Sequence, residues 1–324
     1  MGDIGYGLAA IVGGIAVSFG LYWALDKLVG LFPEKIQNKI RALGFVTPAA
    51  VLLVLILLFP LLDTFWLSFQ SKDATEFVGF KNYVKLFTDP GFMQVLLNNF
   101  LWVAIVPAVT VGIGLLVATL SNNVGPTREK IFKSLIFMPM AISFVSAATI
   151  WRFMYVYVPP GRSEIGLLNS ILHSFGIAPQ PWLTLEGINS FLLMIIIIWL
   201  QAGFAMVLLS AAIKAVPEET IEAARIDGAG TTQVFFSIIV PQIRGTIMSV
   251  FITVLILVMK IFDIVLAMTG GNFKTSVLGF EFYKYYFLDG NTGGASAIVT
   301  ILTILVAPLM WMQIRTVRHQ ESLR

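Results

Sequence analysis

Apolar blocks separated by short polar segments dominate the pattern of this chain. Each block has roughly 20 residues, the length an α-helix needs to cross about 30 Å of hydrocarbon. The blocks predict seven membrane spans, at about residues 4–25, 46–68, 96–120, 132–156, 188–213, 238–259 and 294–314. The first block is the least apolar, because glycines recur along it. The pattern therefore predicts an all-α integral membrane protein.

Composition strengthens this prediction and excludes several other classes. Of the 324 residues, 57% are hydrophobic and only 12% are charged, whereas a soluble protein would scatter more charges between shorter apolar runs. The chain has no cysteine, so neither a disulfide framework nor a thiolate metal site is available. The two histidines, His173 and His319, lie in a predicted loop and in the C-terminal tail, which disfavours a metal site built on them. The basic residues are dispersed and the net charge is +3, so nothing indicates a nucleic-acid partner.

The distribution of Lys and Arg predicts the orientation of the spans. One alternate set of loops holds 13 of the 21 basic residues and the opposite set holds 7. By the positive-inside rule, the segment 214–244 and the C-terminus are cytoplasmic and the N-terminus is external. The segment 26–43 is predicted to be either a short amphipathic helix on the cytoplasmic interface or a plain solvated linker.

One charged segment interrupts the apolar pattern. It runs from Pro217 to Pro241 and is called the polar hairpin below; five of its first eleven residues are charged. Pro217 suits the first turn of a helix, and the carboxylates that follow favour the positive end of a helix dipole. Gly228 and Gly230 are expected to end this helix, because glycine tolerates positive φ. A second helix then leads into the next span. A simple helical connector would account for composition alone.

The order of residues in the polar hairpin resembles a known signature. Glu222-Ala223-Ala224, then Gly228, Ile238 and Pro241, is similar to the EAA motif of ABC importer permeases, with Val240 where leucine is usual. Further stretches resemble carbohydrate importers of the maltose-permease type. They are LLDTFWLSFQ (61–70), VGFKNYVKLFTDPGF (78–92), LLNNF (96–100), FDIVLAMTGGN (262–272) and ASAIVTILTI (295–304).

This resemblance implies a fold and a set of partners. The fold would be the type I ABC importer transmembrane fold, with a permease domain at 44–324 whose core lies at about 95–315. Residues 1–43 would add an N-terminal transmembrane helix and a cytoplasmic linker helix. The partners would be a second permease subunit of different sequence, two ABC ATPase subunits, a periplasmic or lipid-anchored sugar-binding protein and membrane lipid. The membrane would be the cytoplasmic membrane of a bacterium or archaeon.

The resemblance also assigns roles within the polar hairpin. It would be the coupling helix that docks on an ATPase subunit. The residues assigned to this contact are Glu219, Glu222, Ala223, Ala224, Asp227, Gly228, Ala229 and Pro241. The chain has no Gly-x-x-x-x-Gly-Lys-Ser/Thr loop, so ATP and Mg²⁺ would bind the ATPase chains. We therefore expect no cofactor and no catalytic residue on this chain.

Polar or aromatic residues within or beside the spans are candidates for the solute pathway, because polar groups inside a bilayer are costly. The candidates are Trp199, Gln201, Phe204, Lys260 and Asp263. Lys260 and Asp263 are expected to share one helical face and to be able to pair. Each candidate has a structural alternative: Trp199 as a lipid-facing anchor, for example, or Lys260 as a snorkelling side chain. Asn98 and Asn99 are a further polar pair, at the start of the third span.

Three other functions stay open at this point. An importer of the same family for glycerol phosphate or another small polar solute would need a cationic pathway, for which Lys260 is the one clear candidate. A secondary transporter would place carboxylates or broken helices at mid-membrane, and no carboxylate lies mid-span in the sequence. A membrane-embedded enzyme would need a cluster of catalytic polar groups within the spans, and the sequence shows none.

Overall fold

A computed structural model describes residues 2–30, 46–122, 124–159 and 165–321. In these ranges the chain is helical, and the β-structure recorded is an isolated bridge between Gln70 and Phe77. The chain divides into two compact units, Met1–Trp66 and Leu67–Arg324. Each is described by itself.

The first unit contains helix α1 (Gly2–Val29) and nearly all of α2 (Val46–Leu67). Helix α2 matches the second predicted span and is exposed along its length, as expected of a helix that is apolar all round and meets lipid. Helix α1 contains the first predicted span, 4–25, whose crossing of the membrane stays a prediction. The predicted linker at 26–43 and the domain boundary at 43/44 fall largely outside the described residues.

The second unit holds the remaining helices. In chain order they are α3 (Lys81–Thr88), α4 (Pro90–Asn122), α5 (Pro126–Phe137), α6 (Phe144–Met154), α7 (Leu167–Ser174), α8 (Ile188–Lys214), α9 (Glu218–Ile226), α10 (Thr231–Gln242), α11 (Arg244–Met259), α12 (Asp263–Met268), α13 (Leu278–Tyr283) and α14 (Thr292–Glu321).

Six of the seven predicted spans coincide with helices that are long and apolar enough to cross a membrane. Within the described ranges, α2, α4, α8 and α14 qualify as continuous helices. Two bent pairs supply the others: residues 126–141 with α6, at 104°, and α10 with α11, at 69°. The span predicted at 132–156 is thus two helices. Pro139 lies in a 3₁₀ turn, and the Ser143 side chain then caps α6 by accepting a hydrogen bond from the Ser146 N–H.

Helices α4 and α8 form the central pair of the second unit, and glycines let their neighbours approach closely. A Cβ on Gly114 of α4 would lie 2.5 Å from the Cβ of Ala205 on α8. A Cβ on Gly203 would lie 2.4 Å from the carbonyl oxygen of Ile136. Because these contacts leave no room for a methyl group, α4, residues 126–141 and α8 pack as one group. Helix α11 packs on α4 and α14.

Buried amides hold the segment that follows α12 against the core. Asn98 donates to the carbonyl oxygens of Lys274 and Ser276, at 2.7 Å each. Asn99 accepts from the Leu278 N–H at 2.7 Å, and Asn189 donates to the Phe273 carbonyl at 2.9 Å. The polar pair singled out in the third span thus pairs with backbone groups that would otherwise be buried without partners.

Candidate functional site

The polar hairpin begins with a short, exposed acidic helix. Pro217 is the N-cap of α9, one residue ahead of the first-turn position expected from the sequence, and Glu218 and Glu219 occupy the first turn. These two carboxylates and that of Glu222 are exposed, and no ion pair joins them to another side chain in the part of the chain that is described. The helix therefore presents unpaired negative charge to its surroundings.

A tight turn ends α9 at the glycine that the sequence indicates. Gly228 has φ of 85°, and its N–H donates to the Arg225 carbonyl at 3.0 Å. The Ala229 N–H donates to the Ala224 carbonyl at 2.9 Å, which completes a Schellman motif. A Cβ on Gly228 would meet nothing within 4 Å, so the requirement for glycine comes from φ alone. Gly230 is extended, with φ of −72°, and does not use a positive φ.

The second helix of the polar hairpin is irregular before it meets α11. A π-helical turn occupies Phe235–Ile239, and the Val240 N–H donates to the Phe235 carbonyl. Pro241 follows and has no N–H to donate. Since proline and π-turns both disturb the regular hydrogen-bond ladder, they account for irregularity here and for the 69° bend that comes two residues later. Pro241 thus contributes to the direction in which α11 leaves the hairpin.

Ile226 is a feature of the polar hairpin that sequence reasoning missed. Its side chain is 85% exposed, although it lies between Arg225 and Asp227 at the end of α9. An isolated branched apolar side chain on a charged surface is suited to filling a pocket on a protein partner. The signal was present in the sequence, as an isoleucine inside the most charged segment of the chain.

The three pathway candidates on α8 do not share one face, because Trp199 points away from Gln201 and Phe204. The Trp199 ring packs edge-on against Trp151, with 5.8 Å between centroids, and lines an apolar cavity of about 480 Å³. Gln201 is 7% exposed and lies about 200° further round the helix from Trp199. Phe204 is half-buried and packs between two apolar clusters of the core. The three side chains therefore do not form one lining surface within this chain.

The expectation that Lys260 and Asp263 share one helical face is wrong. Helix α11 ends at Met259, Lys260 is its C-cap, and Asp263 begins α12 after a break at Ile261-Phe262. The two residues therefore do not lie on one continuous helical face, and no ion pair between them is recorded among the described residues. Lys260 is exposed and Asp263 is half-buried.

A polar cavity of about 420 Å³ lies where the start of α4 meets the segment around α13. Its polar groups largely satisfy one another: Gln94 donates to Asn98 at 3.0 Å, and Ser276 donates to Glu281 at 2.8 Å. Burial raises the pKa of Tyr285 on its wall, and nearby carboxylates act in the same direction, so the phenol keeps its proton. Sequence reasoning did not find this cavity, because its lining comes from segments about 180 residues apart.

No group of three or more His, Asp or Glu residues suited to a metal ion occurs in the ranges described.

Comparison with known proteins gives consistent matches. The profile of the family described as "Binding-protein-dependent transport system inner membrane component" matches residues 110–318. The alpha-glucoside transport system permease protein AglF of Rhizobium meliloti is 44% identical over 97% of both chains. The osmoprotective compounds uptake permease protein GgtC of Synechocystis is 48% identical over 86% of this chain and all of its own.

A solved bacterial alginate ABC transporter, in complex with a periplasmic protein that carries an alginate pentasaccharide, has a chain with a TM-score of 0.75 at 19% identity. That likeness covers 88% of this chain and 96% of the other, and it confirms the predicted ABC importer transmembrane fold.

Proposed function

This chain belongs to the family of binding-protein-dependent transport system inner membrane components, and from that premise we propose that its polar hairpin couples ATP hydrolysis on a partner to movement of the spans. The chain is a multi-pass inner-membrane permease subunit, a transport component and not an enzyme. The observation that carries the proposal is the exposed acidic helix α9, which ends in the turn at Gly228.

The proposed partner of the polar hairpin is an ABC ATPase subunit. The contact would be made by the residues that the EAA resemblance assigns, from Glu219 to Pro241, with Ile226 added from the structure. Carboxylates that find no partner within the described chain favour basic residues on the docking surface. The exposed Ile226 favours an apolar pocket beside them.

We further propose the assembly that such docking requires. Two ATPase subunits would bind ATP and Mg²⁺, and a second permease subunit would pair with this one. A periplasmic or lipid-anchored binding protein would deliver the solute. Closure of the ATPase subunits would then switch the spans between inward-facing and outward-facing states. In this orientation the polar hairpin and the C-terminus are cytoplasmic and the N-terminus is external.

The proposed solute is a sugar, with an α-glucoside as the leading candidate. The AglF relative, similar over nearly the whole of both chains, supports this choice. The second candidate is a small polar osmolyte, which the name of the GgtC relative favours. For contacts with the solute we propose Trp199, Gln201, Phe204, Lys260 and Asp263. Because the α8 side chains diverge, the partner permease would have to complete the pathway.

The coupling proposal is tested by charge reversal on α9. Glu222→Lys should leave membrane insertion intact but abolish ATPase association and ATP-driven uptake, because it replaces the attracting charge with a repelling one. Glu76→Lys is the matched control, since Glu76 is also exposed but lies outside the polar hairpin. ATPase co-purification and uptake into proteoliposomes are the readouts. Normal ATPase co-purification and normal uptake with Glu222→Lys would contradict the proposal.

The solute proposal needs the complete importer in proteoliposomes. We expect ATP-dependent uptake of a labelled α-glucoside such as maltose, trehalose or sucrose, with competition by the unlabelled sugars. Competition by glycerol phosphate or by an osmolyte, but not by the sugars, would replace the α-glucoside proposal. Uptake driven by an ion gradient without ATP would indicate a secondary transporter instead.

A further inference from the structure

A polar cluster joins three helices just ahead of the polar hairpin. The carboxylate oxygen Oε1 of Glu129, on α5, lies 2.5 Å from the Nζ atoms of both Lys133 on the same helix and Lys214 on α8. Lys133 also donates to the Ser210 hydroxyl on α8. Ser210 in turn donates to the side-chain oxygen of Asn122, the last residue of α4, at 2.9 Å.

The cluster occupies the point where the polar hairpin meets the spans. Lys214 is the last residue of α8, and Pro217 begins the hairpin three residues later. Asn122 ends α4 and Pro126 begins α5, so the cluster gathers three helix ends. A displacement of the first helix of the hairpin is passed to the end of α8 at Lys214, and the cluster joins that end of α8 to α4 and α5.

Steric contacts farther along the same helices supplement the cluster. Gly114 holds α4 against α8, and Gly203 holds α8 against the backbone at Ile136. Helix α8 is therefore fixed to α4 and to α5 by close packing, and at the hairpin end by hydrogen bonds to α4 and by ion pairs to α5. Two fixed points between α8 and each of these neighbours resist rotation as well as separation, which one contact alone would not do.

The side chain of Glu129 is shielded from solvent, so its charge depends on its ion-pair partners. Its side chain is 13% exposed and that of Lys133 is 21% exposed, whereas that of Lys214 is 53% exposed. A largely shielded carboxylate needs its cationic partners, because losing one leaves the charge poorly compensated. Three charged side chains meet here in a chain that has few of them.

We propose that the cluster centred on Glu129, which Lys133 and Lys214 hold and which Ser210 extends to Asn122, is the clamp that makes α4, α5 and α8 move as one body when the polar hairpin is displaced. The proposal rests on the docking role proposed for the hairpin. Glu129, Lys133 and Lys214 are positioning residues in this account, since they touch neither ATP nor solute. The clamp stays closed throughout the transport cycle.

Removing the charge at the centre of the cluster should uncouple transport from ATP hydrolysis. In the complete importer, Glu129→Gln should keep ATPase association and ATP hydrolysis. The amount of solute moved per ATP should fall about five- to tenfold, in the range of ordinary coupling between sites. Lys130→Gln is the matched control: Lys130 is the next residue on α5, is exposed, and has no recorded ion pair. An unchanged solute-to-ATP ratio in Glu129→Gln would overturn the proposal.

A charge swap separates a positioning role from a purely structural one. Glu129→Lys alone should lower the solute-to-ATP ratio, because it brings three cations together. Adding Lys214→Glu restores a carboxylate between two ammonium groups and should recover most of the ratio. Melting temperatures of all variants show whether stability changes instead. The clamp would be contradicted if the solute-to-ATP ratio fell only where the melting temperature fell and did not recover when Lys214→Glu was added to Glu129→Lys.

Cross-linking tests whether the clamp stays closed. The chain has no cysteine, so Glu129→Cys with Lys214→Cys gives one defined pair for a short bis-maleimide. We expect the cross-link to restore the ratio lost in the unlinked double variant. Loss of uptake on cross-linking would show that the cluster must open, against the proposal. The docking proposal fails separately, if Glu222→Lys transports normally.

Discussion

Backbone conformation at a single residue, Gly228, sets the shape of the polar hairpin. Its φ of 85° is costly for most side chains, by about 1–2 kcal/mol. Gly228→Val should therefore weaken ATPase association roughly 5- to 30-fold, the factor that such an energy represents. Gly228→Asn should keep most of it, because asparagine tolerates this conformation. The measurement is ATPase co-purification across a concentration series.

Open space around Gly228 makes that comparison clean. A Cβ there meets nothing within 4 Å, so neither variant should create a steric clash, and the difference between them comes from backbone conformation. Equal association in the Val and Asn variants would show that the turn does not need a positive φ for docking.

The two neighbouring asparagines of α4 differ in the atoms they use. Asn98 donates twice, to two backbone carbonyls, whereas Asn99 accepts once through its side-chain oxygen. Replacement by aspartate keeps an acceptor but removes the amide donors. Asn98→Asp should therefore destabilise the protein more than Asn99→Asp, by about 1–3 kcal/mol for each carbonyl left unpaired. Thermal unfolding of the purified protein in detergent measures the difference, and a larger loss in Asn99→Asp would contradict this account.

Residues whose role is local could be predicted from the sequence, and those whose partners are distant could not. The need for glycine at 228 follows from its place after an amphipathic helical segment. Asn98 could be identified as a polar residue in a span, but not as the partner of Lys274 and Ser276, because those carbonyls lie more than 170 residues away. The Glu129 cluster was missed for the same reason.

Among helices, the approach of α4 to α8 depends on Gly114 and not on the nearby Gly112. A Cβ on Gly114 would lie 2.5 Å from that of Ala205, whereas a Cβ on Gly112 would meet nothing within 4 Å. Gly114→Ala should therefore destabilise the protein by forcing the helices apart. Gly112→Ala should be neutral or stabilising by up to about 1 kcal/mol, because alanine favours the helix.

A second-site change checks the cause of the expected loss. Adding Ala205→Gly to Gly114→Ala removes the opposing methyl group and should recover much of the stability. Melting temperatures of the three variants are the measurement. Equal effects of Gly112→Ala and Gly114→Ala would show that helix propensity, not contact with α8, governs this site.

Hydropathy predicted that a helix occupies each span, but not whether that helix is continuous or broken. An apolar block of the right length predicts a span whether the helix is straight or bent, so the 104° bend between residues 126–141 and α6 left no mark in the pattern. The break after Met259 was missed in the same way, because Lys260 and Asp263 have the spacing of helical neighbours. Hydropathy alone records neither break, although Pro139 and the Ser143 cap are local signals for the first.

For the whole molecule, family and fold were accessible from the sequence because the apolar blocks and the EAA-like order of residues are both linear features. The solute pathway was not, since it depends on which faces of α8 meet other helices and a partner subunit. Trp199 and Gln201, two residues apart, face in different directions. A list of the polar residues in the spans therefore overstates how many of them line a solute pathway within one chain.

Sidedness is the prediction that belongs to the whole molecule, and the absence of cysteine makes it directly measurable. Single-cysteine variants at Gly2, Asp73 and Thr220 would report the N-terminus, the loop before α3 and the polar hairpin. A membrane-impermeant maleimide applied to spheroplasts should label the first two and spare Thr220→Cys, because the Lys and Arg bias places the hairpin inside. In permeabilised cells the maleimide should label all three variants.

Labelling of Thr220→Cys in intact spheroplasts would reverse the orientation and exclude docking of a cytoplasmic ATPase. Protection of Gly2→Cys with labelling of Asp73→Cys would instead remove only the first span.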